Sequence, residues 1–114
     1  MLARKFRITE KEDFENIQNK GKVFQSDNFG IGIVKREDAG PTRFGFIVST
    51  KIAKDAVDRN RFKRAMSEAV RTSMTDITPS FDVVFLAKTS ITRVPTEKIM
   101  KEVCVSLREC GLLK

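Results

Sequence analysis

Three segments of the chain carry apolar residues at the spacing of β-strands. Residues 29–36 alternate between large apolar side chains and small or polar ones, which is typical of a strand with one buried face. Residues 42–50 form a second segment of this kind. Residues 81–88 are almost continuously apolar, which favours a central strand that is covered on both faces. The pattern predicts two or three strands before the middle of the chain and one strand after it.

Three other segments have apolar residues three and four positions apart, as amphipathic helices do. They are residues 8–21, 55–74 and 96–113. In the first of them, Thr9 and Glu12 have the spacing of a capping box. The face of the second helix that is predicted to pack on the sheet comprises Phe62, Ala65, Met66, Ala69, Val70 and Ser73. Its opposite face comprises Asn60, Arg64, Ser67 and Arg71.

These elements follow one another in the order α-β-β-β-α-β-α if the third early strand is counted. Such an order predicts the α+β class, with a single α/β sandwich in which helices pack on one sheet. A chain of 114 residues buries roughly two thirds of its unfolded surface, which is enough for a real core. No repeat, low-complexity segment or linker divides it. We therefore expect a single domain over residues 1–114.

The charge of the chain narrows the classes of partner. Lys and Arg number 22 and Asp and Glu number 15, which gives a net charge of +7. A small basic domain attracts polyanions, usually nucleic acid or an anionic membrane. A membrane role is the weaker reading, because no apolar run is long enough to span and no basic helix has a bulky apolar face. The start of the chain has no apolar segment of the signal-peptide type, so a cytoplasmic location is expected.

The residue types that are missing limit the chemistry of the chain. It has no histidine, so no Ser-His or Cys-His pair can form. Its two cysteines, Cys104 and Cys110, are too few for a structural zinc site and are expected to stay free. No group of acidic residues has the spacing of metal ligands. The sequence predicts neither a catalytic residue nor a metal site in this chain.

One segment concentrates positive charge. Between Arg59 and Arg64, four of six residues are cationic and none is acidic. Like charges three or four positions apart on a helix repel one another by a few tenths of a kcal/mol per pair, so helix stability does not explain the block. Contacts with phosphates would explain it, because each one releases counterions and adds affinity. Lys51 and Lys54 precede the block and extend it.

The sequence around this block resembles a family signature. STKIAKDAVDRNRFKR, residues 49–64, resembles the signature of the bacterial ribonuclease P protein subunit, with Arg59, Asn60 and Arg61 as its RNR core. The resemblance extends along nearly the whole chain, through EDF, NKGK, RFGFIVS, FDVVFLAK and the GLL near the end.

The resemblance implies a function as well as a fold. The implied fold is that of the second domain of ribosomal protein S5, with a left-handed βαβ crossover. The implied function is that of a small basic subunit that binds a catalytic RNA and the 5′ leader of precursor tRNA. The holoenzyme hydrolyses one phosphodiester and releases the leader. The active centre and its Mg²⁺ are expected in the RNA subunit, and no protein partner is predicted.

The resemblance also assigns residues to two surfaces. Contact with the RNA subunit is predicted for Lys51, Lys54, Arg59, Asn60, Arg61, Lys63, Arg64 and Arg71. Contact with the leader, in a cleft between the first helix and the sheet, is predicted for Phe14, Gln18, Arg43, Phe44 and Phe46. Aromatic side chains stack on bases with little sequence preference, which suits varied leaders. Phe14 could equally belong to the core. Phe44 and Phe46 share one side of their strand, so both belong either to the core or to the cleft.

The chain departs from the family pattern at three positions. Gln18 and Gly32 stand where the family often has aromatic residues, which leaves fewer rings for stacking. Ser67 stands where arginine is common, and Arg71 is a possible substitute for that phosphate contact.

Two other functions are compatible with parts of the sequence. A ribosomal or RNA-chaperone module would bind RNA without belonging to a catalytic particle. An independent nuclease is disfavoured, because it would need a histidine or an acidic cluster.

Overall fold

A computed structural model describes residues 2–113 of the chain and confirms the predicted order of elements. The helices are α1 (Lys11–Lys20), α2 (Ala56–Thr72) and α3 (Thr96–Glu109). The strands are β1 (Lys22–Gln25), β2 (Phe29–Lys35), β3 (Arg43–Ile47) and β4 (Phe81–Ala87). The fold is α+β, with one sheet between helices.

The sheet is mixed, with its strands in the order β1-β2-β4-β3. β1 pairs with β2 and β2 with β4 in antiparallel fashion, whereas β3 runs parallel to β4. Since parallel neighbours cannot be joined by a tight turn, the chain crosses from β3 to β4 through α2. The left-handedness of this crossover stays a prediction.

β1 is the third early strand, whose existence the apolar pattern did not decide. Its four residues are all exposed and form one edge of the sheet. It pairs with β2 and carries no alternation of buried and exposed positions. The pattern could therefore not define it with certainty.

The main core lies between one face of the sheet and the pair α2 and α3. Phe29, Ile31 and Phe85 supply the sheet side of it and are almost fully buried. From α2, the predicted apolar face is buried as expected at Phe62, Ala65, Met66, Ala69 and Val70. From α3, the buried apolar residues are Ile99, Val103 and Leu107. The periodicity of both helices therefore gave the correct orientation.

The second face of the sheet is covered by α1 and by Ile8, which precedes it. Ile17 of α1 packs there with Ile8 and Val84 in a small separate cluster. Glycines allow the close approach: an ideal Cβ at Gly32 would lie 2.9 Å from Cγ2 of Ile17. At Gly45, a Cβ would lie 2.6 Å from Cε1 of Phe14. α1 therefore packs on the side of the strands that carries these glycines.

The helix ends agree only in part with the sequence. The capping box is wrong, because Glu10 is the N-cap of α1 and no side chain caps the helix. The end of α3 is as its glycine suggests: Gly111 has φ of +84°, in the left-handed region that glycine adopts without strain.

The two cysteines are free and half-buried, as expected. Burial raises the pKa of the Cys110 thiol, which keeps it in the unreactive protonated form. Within residues 2–113, no helix is long and apolar enough to cross a membrane.

Replacing Gly45 with alanine tests the close approach of α1. Because the added methyl group overlaps the Phe14 ring, Gly45→Ala should lower the free energy of unfolding by about 1–3 kcal/mol in urea titrations. Gly30→Ala is the matched control, since its Cβ would meet only the flexible Gln25 side chain at 3.3 Å. Equal stability of the two variants would contradict this packing.

Candidate nucleic-acid interface

The positive residues of α2 and of the turn before it, together with Asn60, define what we call the α2 cationic surface. It comprises Lys51, Lys54, Arg59, Asn60, Arg61, Lys63, Arg64 and Arg71. All are exposed except Arg59 and Lys63, which are half-buried. Because α2 packs its apolar face on the sheet, Asn60 and Arg64 point away from it, one turn apart. Six of the eight predicted residues thus lie on α2, and Lys51 and Lys54 lie just before it.

Arg59 has a structural task in addition to its charge. Its Nη1 donates hydrogen bonds to the carbonyl oxygens of Ala53, at 2.9 Å, and Lys54, at 2.7 Å. These bonds tie the β3–α2 connection to the first turn of the helix. Arg59 thereby holds Lys54 beside the block.

Arg61 leans toward α3. Its guanidinium carbon lies 4.5 Å from the centre of the Phe62 ring, and its Nη1 is 3.4 Å from Oγ1 of Thr96. In the described part of the chain, the side chains of Asn60 and Arg64 make no hydrogen bond or ion pair, so their donors face solvent. This side of the surface offers polar groups that the fold does not use.

The far end of the surface is less open. Arg71 makes a two-pronged pair with Glu68, with Nη2 and Oε2 at 2.8 Å. This pair lowers the pKa of the Glu68 carboxyl and raises that of Arg71. Ser67 is buried and its hydroxyl donates to the Arg64 carbonyl, so the predicted outward orientation of Ser67 is wrong. The pair uses Nε and Nη2 of Arg71, so Nη1 can still donate to a phosphate while Glu68 stays bound.

A second candidate surface lies on the other side of the sheet. It is a groove of about 270 Å³ between α1 and the sheet, which we call the α1 groove. Phe14, Ile17 and Gln18 of α1 line one side, and the strands supply Val23, Gly32, Ile47, Val84 and Leu86. Phe14 is half-buried, because it both packs over Gly45 and lines the groove. Phe14 can therefore be a core residue and a leader-binding residue at the same time.

On this side of the sheet, Arg43 of β3 connects three elements: β3 itself, β4 and α1. Its Nε and Nη2 donate to the two oxygens of Asp82, each at 2.8 Å, and Nη2 lies 3.3 Å from Asp13 of α1. Asp82 is 4% exposed, and its hydrogen bonds raise the pKa of the Arg43 guanidinium. Arg43 therefore orients α1 on the sheet, and its contact with a leader stays a prediction.

The assignment of Phe44 and Phe46 to the cleft needs correction. Phe44 is 1% exposed and packs in the main core, on the face of the sheet opposite the α1 groove. Phe46 is on the same side, half-buried, with its ring stacked 5.4 Å from that of Phe85. The two do share one side of the strand, and it is the core side, because Gly45 and Ile47 face α1.

Sequence reasoning missed the aliphatic residues of the groove. Val23, Ile47 and Leu86 are large apolar residues that remain 61%, 40% and 43% exposed. Their signal was the alternation itself: Ile47 falls out of phase with Phe44 and Phe46, and Leu86 with Phe85. The continuous apolar run of β4 hid it.

A basic α+β domain with a cationic helix on one side of its sheet and an apolar groove on the other is built as an RNA-binding subunit. Family comparison agrees with that class: the model of the family Ribonuclease P matches residues 2–111. The ribonuclease P protein component of Oleidesulfovibrio alaskensis is 35% identical over 112 residues, which are 96% of this chain and 89% of that one. That of Picosynechococcus is 32% identical over 101 residues, or 89% and 86% of the two chains. The chain belongs to the ribonuclease P protein family.

Solved structures give the same result for the fold. The ribonuclease P protein of Staphylococcus aureus superposes with a TM-score of 0.89 and 25% identity, over 96% of this chain and 98% of that one. The Thermotoga maritima protein has a TM-score of 0.80 and 25% identity, over 90% and 96%. The chain is thus a protein component of a ribonucleoprotein tRNA-processing nuclease, with the ribonuclease P RNA as its partner.

Removing the Arg43 guanidinium tests its structural role. Arg43→Ala leaves the buried Asp82 carboxylate without its partner, so the free energy of unfolding should fall by about 3 kcal/mol in urea. Lys11→Ala, which removes a well-exposed ion pair with Glu15, should change it little. If Arg43→Ala were as stable as the wild type, the Arg43–Asp82 pair would not stabilise the fold, and only the predicted ligand-binding role of Arg43 would remain.

Proposed function

We propose that this chain binds the ribonuclease P RNA through the α2 cationic surface and the 5′ leader of precursor tRNA through the α1 groove. In this proposal the holoenzyme hydrolyses the phosphodiester at the mature 5′ end of the tRNA. The observation that carries it is the placement of two surfaces of different chemistry on opposite faces of one sheet. Two RNA molecules could then be held at the same time without competing.

The α2 cationic surface suits an RNA backbone. Arginines can each make two parallel hydrogen bonds to a phosphate, and Asn60 offers both a donor and an acceptor. The hydrogen bonds of Arg59 to the Ala53 and Lys54 carbonyls hold the backbone of the preceding turn in place before RNA arrives. Less conformational freedom is then lost on binding.

The α1 groove suits an unpaired strand of varied sequence. It offers one ring, Phe14, and several aliphatic side chains, so contact depends on apolar area more than on base identity. Gln18 is exposed at its edge and can hydrogen-bond a base or a ribose. Such a groove would tolerate many different leaders.

Mg²⁺ belongs to the RNA in this proposal. Among residues 2–113, no group of three or more acidic or cysteine side chains is arranged to hold a metal ion. The protein would act on the ions indirectly, because its cations neutralise phosphates and let the two RNAs approach each other.

The first experiment is cleavage of a 5′-extended precursor tRNA at low Mg²⁺. The protein alone, the matching ribonuclease P RNA alone and both together would be compared. We expect efficient cleavage at the mature 5′ end only by the mixture. If the protein adds nothing to the RNA, a ribosomal-type RNA-binding module becomes the better interpretation. Cleavage by the protein alone would instead indicate an independent nuclease.

The salt dependence of binding tests the α2 cationic surface. Arg61→Ala and Arg64→Ala should each weaken binding to the ribonuclease P RNA. Each should also reduce the slope of log affinity against log salt by about one phosphate contact. Arg108→Ala, an exposed arginine near the end of α3, is the control and should change neither. An unchanged slope in the two α2 variants would contradict the assignment.

Leader length tests the α1 groove. Leu86→Ala removes an exposed apolar side chain of the groove and should weaken holoenzyme binding of a long-leader precursor about three- to tenfold. Binding of mature tRNA should be unchanged. Val105→Ala, an exposed apolar residue outside the groove, is the matched control. Equal losses with precursor and mature tRNA would show that Leu86 does not contact the leader.

A further inference from the structure

A groove of about 730 Å³ lies between α2 and α3, on the same side of the molecule as the α2 cationic surface. Its apolar residues are Val57, Ala65 and Met100, and its polar residues include Asn60, Arg61 and Arg64. Ala65 is buried and Met100 half-buried, whereas Val57, Asn60 and the arginines are exposed. The volume lies in the range of roughly 300–1,000 Å³ that is typical of ligand pockets.

Val57 supplies most of the exposed apolar side chain in this groove. It is 78% exposed, more than the other exposed large apolar residues of the described chain. It sits in the first turn of α2, two residues before Arg59. Together with Ala65 and Met100 it forms an apolar patch bordered by polar residues, which is typical of an interaction site.

The charges around the groove favour neutral groups of a ligand inside it and anionic groups at its edge. Glu68 lies in the groove, and Arg71 holds the pKa of its carboxyl low, so it stays ionised at neutral pH. Because Arg71 already neutralises this carboxylate, the inside of the groove offers a phosphate no free positive charge. Arg61 and Arg64 are exposed and can hold phosphates outside it. The arrangement favours a neutral, flat group inside and anionic groups beside it.

We propose that the groove between α2 and α3 takes an unpaired nucleobase of the ribonuclease P RNA, whose flanking phosphates are held by Arg61 and Arg64. This inference rests on the proposed function and adds to it a base-binding site. The α2 cationic surface is then more than a backbone contact. The base packs between Val57 and Met100, and the RNA must present it outside a helix.

The polar groups near the groove supply the remaining contacts. The guanidinium of Arg61, already held toward α3 by Phe62 and Thr96, offers a flat surface on which a base can stack. The Asn60 amide can pair with the edge of a base as both donor and acceptor. The site therefore has an apolar, a stacking and a hydrogen-bonding element within two turns of α2.

The test measures affinity and base accessibility in the same complex. Wild-type protein, Val57→Ala and the control Val105→Ala are titrated against the matching ribonuclease P RNA at several salt concentrations. The RNA in each complex is then probed with dimethyl sulfate and a carbodiimide, which together modify the pairing edges of all four unpaired bases. Both substitutions truncate exposed valines on helices, so neither should impair folding.

We expect Val57→Ala to weaken binding about five- to tenfold, because it removes apolar contact area. The slope of log affinity against log salt should stay unchanged, since no phosphate contact is lost. One unpaired base that wild-type protein and Val105→Ala protect should become reactive. Replacing that nucleotide with an abasic one should weaken wild-type binding by a similar factor and should add little to the effect of Val57→Ala.

Two results would overturn the proposal. Val57→Ala could bind and protect the RNA as Val105→Ala does, in which case the groove is not an RNA contact. Val57→Ala could instead weaken binding with no base changing its reactivity, in which case the groove does not take a base. Failure of the proposed function is a separate outcome, because wild-type protein would then not prefer the ribonuclease P RNA over an unrelated structured RNA of equal length.

Discussion

The parallel pairing of β3 with β4 is the constraint on which the rest of the structure depends. Two parallel neighbours must be joined by a crossover, and here α2 is that crossover. Its apolar face has to cover the sheet, so the cationic residues at its start can only face outward or sideways. The position of the α2 cationic surface follows from the strand order.

The face of the sheet that packs against α1 is shaped by two glycines. Gly32 and Gly45 have no side chain, so α1 can lie directly on the backbone of the strands at Ile17 and Phe14. Arg43 then fixes the angle of the helix by joining Asp13 to the buried Asp82. One helix cannot cover the whole sheet, and the uncovered remainder is the α1 groove.

Much of the fold was predictable from the sequence, because burial imposes a period on each element. The apolar face of α2 and the order of elements were correct for this reason. Predictions failed where neighbours in space decide the outcome. Phe44 and Phe14 are equally aromatic in the sequence, but the side of the strand decides that Phe44 is core. The N-cap of α1 could not be found from spacing, since Glu10 and not Thr9 ends the preceding extended segment.

The opposite placement of the two surfaces has a consequence for how such a protein can change over time. Val23, Ile47 and Leu86 of the α1 groove are exposed, and none of the residues that line the groove lies on α2. If the proposed function is correct, drift in the leaders of a cell's tRNA genes and drift in its ribonuclease P RNA would select on separate sets of residues. Either set could then diverge between lineages while the sheet between them, and the partner recognised on its far side, stayed the same.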